Sequence, residues 1–212
     1  MNYNWHTFQN FGYISYDFTD EQLLPIKTEI HEIKSNFELA LPQKANSLLA
    51  GHMNKEYFLE KSFQYANDLI YPFIQLYDDQ FNYVNYIDIL NKPCDLVLDT
   101  FWVNFQKKHE FNPAHNHNGI MSFVIWIDIP YSLEQEQTVY PELPQKDAVS
   151  STFYFEYTDI FGRIRHNYLP VNKSYENKMI IFPSCVNHGV YPFYTSDDYR
   201  ISVSGNFKFN VK

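Results

Sequence analysis

The stretch 199–209, YRISVSGNFKF, alternates apolar and polar side chains along its length. Its apolar set is Tyr199, Ile201, Val203, Phe207 and Phe209, and its polar set is Arg200, Ser202, Ser204 and Asn206. A period of two indicates a β-strand with one apolar face and one polar face. The polar face lies either in solvent, as in a half-buried sheet, or inside a barrel, where it lines a binding cavity.

The same period recurs upstream and predicts a mainly β second half. From residue 96 one predicted face carries Leu96, Leu98, Trp102 and Asn104, and the other carries Val97, Phe101, Val103 and Phe105. Further strands are predicted at 121–128, 152–157, 163–169 and 178–182, between clusters of Pro, Gly, Asn and Asp. Aromatic residues make up 19% of the chain, which also favours a sheet-rich fold. These strands suffice for a small two-sheet barrel.

The first 95 residues favour helices. Thr19 and Gln22 form a predicted capping box, so a helix should begin there, or only at Pro25, and run to about residue 34. Asn54 is the predicted cap of a second helix, which Pro72 should kink or end before residue 78. We expect a single domain, 1–212, with 1–95 as helical support packed on one sheet and 96–212 as the β core.

The composition excludes several partners. The 212 residues carry a formal net charge of −9, so the chain lacks the basic surface that binds nucleic acid or an anionic membrane. No apolar run approaches the roughly 20 residues of a membrane span, and the first residues lack the features of a signal peptide. We therefore expect a cytoplasmic protein that binds neither nucleic acid nor membrane. The sequence leaves its oligomeric state open.

Two histidine segments carry the chemistry. On an extended chain, the single residue between His115 and His117 points both imidazoles to one face, where they can grip one metal ion, although surface pairs of this kind are common. The segment 182–190, FPSCVNHGV, places His188 between a predicted strand and a short apolar stretch. A lone histidine there is more often structural. Arg200, in the last strand, offers a planar fork for a carboxylate.

The order of these features is more specific than each alone. An H-x-H pattern is followed by a histidine 73 residues after His115, by an arginine 12 residues later, and by Ser202. This order resembles the 2-oxoglutarate- and Fe(II)-dependent dioxygenases, which carry H-x-D/E, a distal His and a downstream R-x-S. A branch with H-x-H is closer still, and its motifs read here as Trp102-Val-Asn104, Ser122-Phe-Val-Ile-Trp126, Pro130, Phe182-Pro-Ser184, His188-Gly-Val190-Tyr-Pro192 and Arg200-Ile-Ser202. The resemblance covers residues 100–209.

The resemblance implies a fold and a ligand set. The fold is a double-stranded β-helix, a cupin-like jelly roll. Fe(II) is held by His115, His117 and His188, with His117 at the position that usually carries Asp or Glu. The resemblance further implies that Arg200 and Ser202 bind 2-oxoglutarate. Asn104 shares a predicted strand face with Trp102, and Asn206 shares one with Arg200. Both side chains would therefore also line the co-substrate cavity.

The function implied is oxygenation, most simply hydroxylation, of a small molecule or peptide. Two alternatives stay open: a catalytically silent binding module, and a three-histidine cupin-like metalloenzyme that does not use 2-oxoglutarate. Alternative metal ligands are His109, Glu110, Glu156 and Asp159. The polar stretch 133–149 is interpreted as a long loop of the kind that covers active sites.

Overall fold

The structure, a computed structural model, describes residue 4 and residues 10–87, 94–142 and 149–211. Its strands are β1 Ile14–Asp17, β2 Glu56–Phe58, β3 Leu96–Gln106, β4 Asn112–His115, β5 Met121–Asp128, β6 Phe153–Thr158, β7 Ile164–Leu169, β8 Lys178–Pro183, β9 Asn187–Val190 and β10 Arg200–Phe209. Its helices are α1 Asp20–Ser35, α2 Phe63–Phe81, α3 Tyr83–Ile87 and α4 Leu133–Gln137.

The strands form two antiparallel sheets. The larger has the order β1-β8-β5-β10-β3-β2, and the smaller has the order β4-β9-β6-β7. This is the predicted double-stranded β-helix, or jelly roll. Strands β1 and β2 come from the first 95 residues, so this part of the chain adds edge strands to the larger sheet as well as helices.

Each face of the larger sheet supports its own hydrophobic core. On the outer face, Ile26 of α1 and Ile70 of α2 share a fully buried cluster with Val203 of β10. The helices therefore pack on one sheet, as predicted. On the inner face, Trp126 of β5 and Phe153 of β6 belong to a second cluster between the two sheets. The inner cluster and the polar face of β10 together enclose the space in which the site lies.

The capping box predicted for the first helix is present. The Thr19 hydroxyl accepts from the backbone N–H of Gln22 at 3.2 Å, and the Gln22 side chain accepts from the backbone N–H of Thr19 at 3.0 Å. Helix α1 therefore begins at Asp20, and Pro25 lies within it rather than at its start. Two N–H groups that have no partner inside the helix are satisfied by this exchange.

The start predicted for the second helix was wrong. Asn54 does not cap a helix, because Glu56–Phe58 forms β2, which pairs with β3. Helix α2 begins at residue 63, and its N-terminus is held instead by a buried carboxylate of α1. Glu29 accepts from the backbone N–H groups of residues 60–62 at 2.8, 2.9 and 2.8 Å. A cap supplied from another helix leaves no local signal in the sequence.

Pro72 does not end helix α2 before residue 78, which was one of the two effects predicted for it. The helix continues through Pro72 to Phe81 and ends where Asn82 adopts a left-handed conformation, with φ of 51°. Asparagine tolerates that conformation better than most residues, which makes it a common helix terminator. No helix in the described ranges is both long enough and apolar enough to cross a membrane.

The predicted faces of β3 needed correction at its start. Asn206 of β10 pairs with Thr100, but the next residue, Phe207, pairs with Leu98, so Asp99 is an extra residue in β3. This β-bulge reverses the alternation of the side chains before it. Leu98 therefore joins the outer core with Phe101 and its neighbours, rather than sharing a face with Trp102 as predicted.

The stretch 133–149 is not a loop throughout. Residues Leu133–Gln137 form the short helix α4, and the Ser132 hydroxyl accepts from the backbone N–H of Gln135 at its start. Glu136 is fully buried and accepts from the backbone N–H and the hydroxyl of Thr195, at 2.8 and 2.6 Å. These bonds tie α4 to the segment before β10. Residues 143–148 lie outside the described ranges.

Candidate metal centre

Two short strands bring the histidines together. His115 is the last residue of β4 and lies directly opposite His188 of β9. His117 follows two residues beyond the end of β4, and its backbone N–H donates to the carbonyl of Ser184 at 2.9 Å. The Ser184 hydroxyl is in turn 2.8 Å from that of Ser122 on β5. The serine of the F-P-S segment thus helps to set the position of His117.

The three imidazoles converge. Their ring centroids are separated by 4.9 Å for His115 and His117, 4.5 Å for His115 and His188, and 5.0 Å for His117 and His188. One ring nitrogen from each lies within 4.8 Å of one ring nitrogen from each of the others. The Nε2 atoms of His117 and His188 are 3.2 Å apart. Two nitrogens bound at about 2.1 Å to one metal ion are separated by roughly 3.0–3.4 Å, so this distance suits a shared metal.

Backbone carbonyls fix the orientation of two of these rings. Nδ1 of His115 lies 2.7 Å from the carbonyl oxygen of Pro113, and Nδ1 of His188 lies 3.0 Å from that of Val186. A carbonyl only accepts hydrogen bonds, so each Nδ1 carries the proton and donates. The Nε2 lone pairs are then free to bind a metal, and the backbone contacts hold the rings in place.

Burial keeps the three histidines neutral. It lowers the pKa of His115, and with the charge of His115 it lowers the pKa of His117 to about 4. Burial and repulsion from the other two rings lower the pKa of His188 to about 3. At neutral pH all three are therefore unprotonated, which is the form that binds metal ions. Three neutral nitrogen donors fit a divalent first-row metal such as Fe(II).

Aromatic side chains enclose the histidines. The ring of Phe153 stacks on His188 at 5.5 Å with an angle of 17°, and Phe182 meets the same ring edge-on at 4.9 Å. Trp102 lies 5.7 Å from His117. These contacts restrict rotation of the imidazoles and cover part of the surface of His117 and His188.

The alternative ligands lie outside the cluster, which among the described residues consists of the three histidines. Glu110 accepts from the backbone N–H groups of Asn54 and Lys107, so its carboxylate holds these two backbone segments together. Glu156 lies 3.1 Å from His166 on the outer surface. The remaining candidates, His109 and Asp159, are likewise absent from the cluster.

A cavity of about 50 Å³ lies beside the histidines, between the two sheets. The lining includes six residues predicted for the site: Asn104, His115, His117, His188, Arg200 and Ser202. The polar face of β10 therefore points into the barrel at these positions, and not into solvent.

Asn206 does not line this cavity as its shared face had suggested. Its side chain is buried, accepting from the hydroxyl of Ser122 at 2.7 Å and donating to that of Thr100 at 3.0 Å. It lies next to the bulge in β3, at the far end of β10 from Arg200. There it joins β5, β10 and β3.

Trp102, Asn104 and Ser202 form a chain of hydrogen bonds across β3 and β10. The indole N–H of Trp102 donates to the side-chain oxygen of Asn104 at 3.1 Å, and the Asn104 amide donates to the Ser202 hydroxyl at 3.3 Å. Since the Ser202 oxygen accepts this bond, its proton remains available to donate toward the cavity. These two hydrogen bonds link the W-x-N motif to the R-x-S motif and give them a shared structural role.

Arg200 is buried, with 2% of its surface exposed, and no carboxylate among the described residues lies within ion-pair distance. Its five N–H groups donate to neutral acceptors: twice to Gln106, and once each to Tyr131 and the carbonyls of Ser151 and Tyr191. The sequence did not reveal Gln106 or Tyr131, which lie 94 and 69 residues from Arg200 along the chain. A buried cation without an anionic partner is costly, and an anionic ligand would lower that cost.

Comparison with known proteins is consistent with this geometry. A family model described as "Putative 2OG-Fe(II) oxygenase", where 2OG is 2-oxoglutarate, matches residues 100–206. A prolyl-4-hydroxylase from Pseudomonas putida is similar in structure over 93% of this chain and 92% of its own, with a TM-score of 0.52 and 12% identity. A viral collagen prolyl hydroxylase from Paramecium Bursaria Chlorella virus-1, in complex with 2OG, is similar over 92% and 94%, with a TM-score of 0.50 and 8% identity. Identities this low show a common fold alone. Among curated proteins, none has a sequence that matches this chain significantly.

Proposed function

Since this chain belongs to the family of 2-oxoglutarate- and Fe(II)-dependent oxygenases, we propose that it is a hydroxylase of that family. We assign the iron to His115, His117 and His188, and the 2-oxoglutarate to Arg200 and Ser202. The observation that carries the proposal is that three neutral imidazoles and a buried arginine without an anionic partner line the same cavity.

The chemistry comes from the bound group. When bound together, Fe(II), O2 and 2-oxoglutarate would supply the oxidising chemistry: 2-oxoglutarate would be converted to succinate and CO2, with one oxygen atom of O2 entering succinate and the other entering a C–H bond of the substrate. The chain itself orients the reactants and excludes water. Phe153, Phe182 and Trp102 shield the histidines from solvent.

Arg200 and Ser202 bind one end of the co-substrate. The guanidinium donates to the carboxylate remote from the metal, and the Ser202 hydroxyl donates to the same group while it accepts from Asn104. His117 contributes no negative charge where a carboxylate is usual. Three neutral ligands would leave the charge of a bound Fe(II) unbalanced by the protein, which would strengthen its attraction for the anionic co-substrate.

The substrate is a small molecule or a peptide. Two of the similar structures are prolyl hydroxylases, so prolyl peptides and free proline are the first substrates to screen. The net charge of −9 disfavours strongly acidic substrates and nucleic acid.

A turnover experiment tests the proposal. The protein is loaded with Fe(II) without oxygen, mixed with 2-oxoglutarate and a panel of prolyl peptides and amino acids, and exposed to O2. We expect succinate that depends on both Fe(II) and O2, and a product heavier by one oxygen atom with the true substrate. His188→Ala is the matched control. Succinate at the level of this variant, under every condition, would contradict the assignment.

One observation favours a second candidate, a three-histidine metalloprotein that does not use 2-oxoglutarate. Every N–H group of Arg200 already has an acceptor in the protein, as expected of an arginine with a purely structural role. Titration of 2-oxoglutarate into the Mn(II)-loaded protein without oxygen separates the two candidates, because only the first binds it through Arg200.

A further inference from the structure

Gln106 occupies the side of Arg200 that faces the cavity. Its side-chain oxygen accepts from Nε of Arg200 at 3.1 Å and from one terminal nitrogen at 2.6 Å. These two N–H groups form one edge of the guanidinium, the edge that binds a carboxylate side-on. We propose that Gln106 is a placeholder for the co-substrate carboxylate, and that it sets the affinity for 2-oxoglutarate by competing for Arg200. This inference rests on the proposed function.

The positions of the other acceptors support this role. Tyr131, Ser151 and Tyr191 hold the guanidinium from directions that do not open into the cavity, since none of them is among the described residues that line it. Gln106 and Arg200 both line it. A carboxylate that enters from the cavity therefore meets the edge held by Gln106, and it can reach both N–H groups only by displacing that amide oxygen.

Gln106 is built into a defined position. It is the last residue of β3 and lies directly opposite Arg200 in the sheet. Its side chain is buried, and its amide N–H donates to the carbonyl of Glu110 at 2.5 Å. Displacement by a ligand must therefore break this bond as well, and the energy of doing so weakens co-substrate binding.

The charges decide the direction of the exchange. Gln106 offers a neutral oxygen, whereas a carboxylate brings a full negative charge to a cation that has no other ionic partner among the described residues. The placeholder satisfies the buried guanidinium when no co-substrate is bound, and it yields to a carboxylate. The apparent affinity for 2-oxoglutarate is then the intrinsic affinity multiplied by the fraction of molecules in which Gln106 has left the edge.

Two substitutions of Gln106 test this inference in opposite directions. In Gln106→Ala the edge is open, and 2-oxoglutarate should bind on the order of tenfold more tightly, because it no longer displaces two hydrogen bonds to a charged group. In Gln106→Glu the new carboxylate pairs with Arg200 permanently, and binding should weaken by roughly a hundredfold or more. Binding is measured by calorimetry on Mn(II)-loaded protein without oxygen.

The controls separate this inference from the proposed function. Mn(II) affinity and thermal stability are measured for each variant, and Gln80→Ala, on an exposed position of α2, reports the effect of removing a glutamine elsewhere. If the parent binds 2-oxoglutarate but Gln106→Ala binds it no more tightly, or Gln106→Glu binds it equally well, Gln106 is a positioning residue and the inference is wrong. If no form binds 2-oxoglutarate, the proposed function fails and this inference fails with it.

Discussion

Nε2 of His117 and Nε2 of His188 lie 3.2 Å apart although the two residues are 71 positions apart in the chain. The first follows β4 and the second lies in β9, so the pairing of these short strands creates the approach. Both rings are mostly buried and neutral at physiological pH, because burial lowers the pKa of each, with a smaller contribution from repulsion by neighbouring imidazoles. A metal ion bound by both nitrogens would offset the repulsion between their lone pairs, as the proposed iron site requires.

Replacement of Arg200 tests the co-substrate assignment. In Arg200→Ala the carboxylate loses a charge-assisted, two-point contact, which costs on the order of 2–4 kcal/mol and weakens 2-oxoglutarate binding by roughly 30- to 1000-fold. Arg200→Lys keeps the positive charge but loses the planar fork, so the affinity of this variant for 2-oxoglutarate should lie between those of the parent and of Arg200→Ala. The measurement is calorimetry on Mn(II)-loaded protein.

The matched control for Arg200 is Arg163→Ala. The side chain of Arg163 is 59% exposed in the turn between β6 and β7 and pairs with Asp159. We expect its removal to leave 2-oxoglutarate binding unchanged. An Arg200→Ala protein that binds as tightly as the parent would show that the arginine is structural, as in the second candidate function.

Gly205 tests the packing that positions β10. A Cβ atom at this position would lie 2.6 Å from the ring of Phe123 and 2.7 Å from the backbone oxygen of Thr100. Because the backbone cannot yield easily, Gly205→Ala should lower the free energy of unfolding by about 1–3 kcal/mol, as measured in urea. Gly12→Ala is the control, since its nearest neighbour is a ring atom at 3.5 Å. Equal stabilities for the two variants would contradict this account of the packing.

Glu56 gives a prediction about pH. Burial, with the nearby charge of Glu110, raises the pKa of Glu56 from 4.5 to about 7. The folded state therefore binds the proton of the Glu56 carboxyl more tightly than the unfolded state does. The stability that the proton contributes is complete below pH 4.5, and it is lost as the pH rises through 7.

Glu56→Gln removes this titration and keeps the shape of the side chain. Between pH 5 and pH 8 the parent should lose roughly 2–3 kcal/mol of unfolding free energy relative to the variant. Urea unfolding of both proteins at the two pH values measures the difference. Parallel pH profiles for the two proteins would show that the Glu56 carboxyl is not held in its protonated form.

The longer strands could be predicted from the sequence because they are long enough to show a period. Met121–Asp128, an apolar run between turn-forming residues, has the predicted bounds, and β10, which alternates, differs from its prediction by one residue. Strands β2, β4 and β9 have three or four residues each. Such lengths cannot reveal a period of two, and these strands form only because neighbouring strands supply their hydrogen bonds.

The site was predictable where a residue's own type carries the chemistry, as for the three histidines that the fold brings together. It was not predictable where a neutral side chain acts through a partner. Gln106 and Tyr131 have no distinctive spacing, and only the closure of the barrel brings them to Arg200. Asn206 was misplaced because it shares the face of Arg200 but lies at the far end of β10, where its side chain bonds to Ser122 and Thr100 instead of reaching the cavity.

Equilibrium binding of Fe(II) to the parent protein and to two variants of His117, measured without oxygen, tests the central claim most directly. If three histidines hold the metal, the parent binds one Fe(II), and His117→Ala weakens binding by at least tenfold, since one ligand of three is lost. His117→Asp should bind as tightly as the parent or more tightly, because it supplies a negative oxygen ligand at the same position. Full Fe(II) occupancy in His117→Ala, at the same concentrations as the parent, would contradict the three-histidine site.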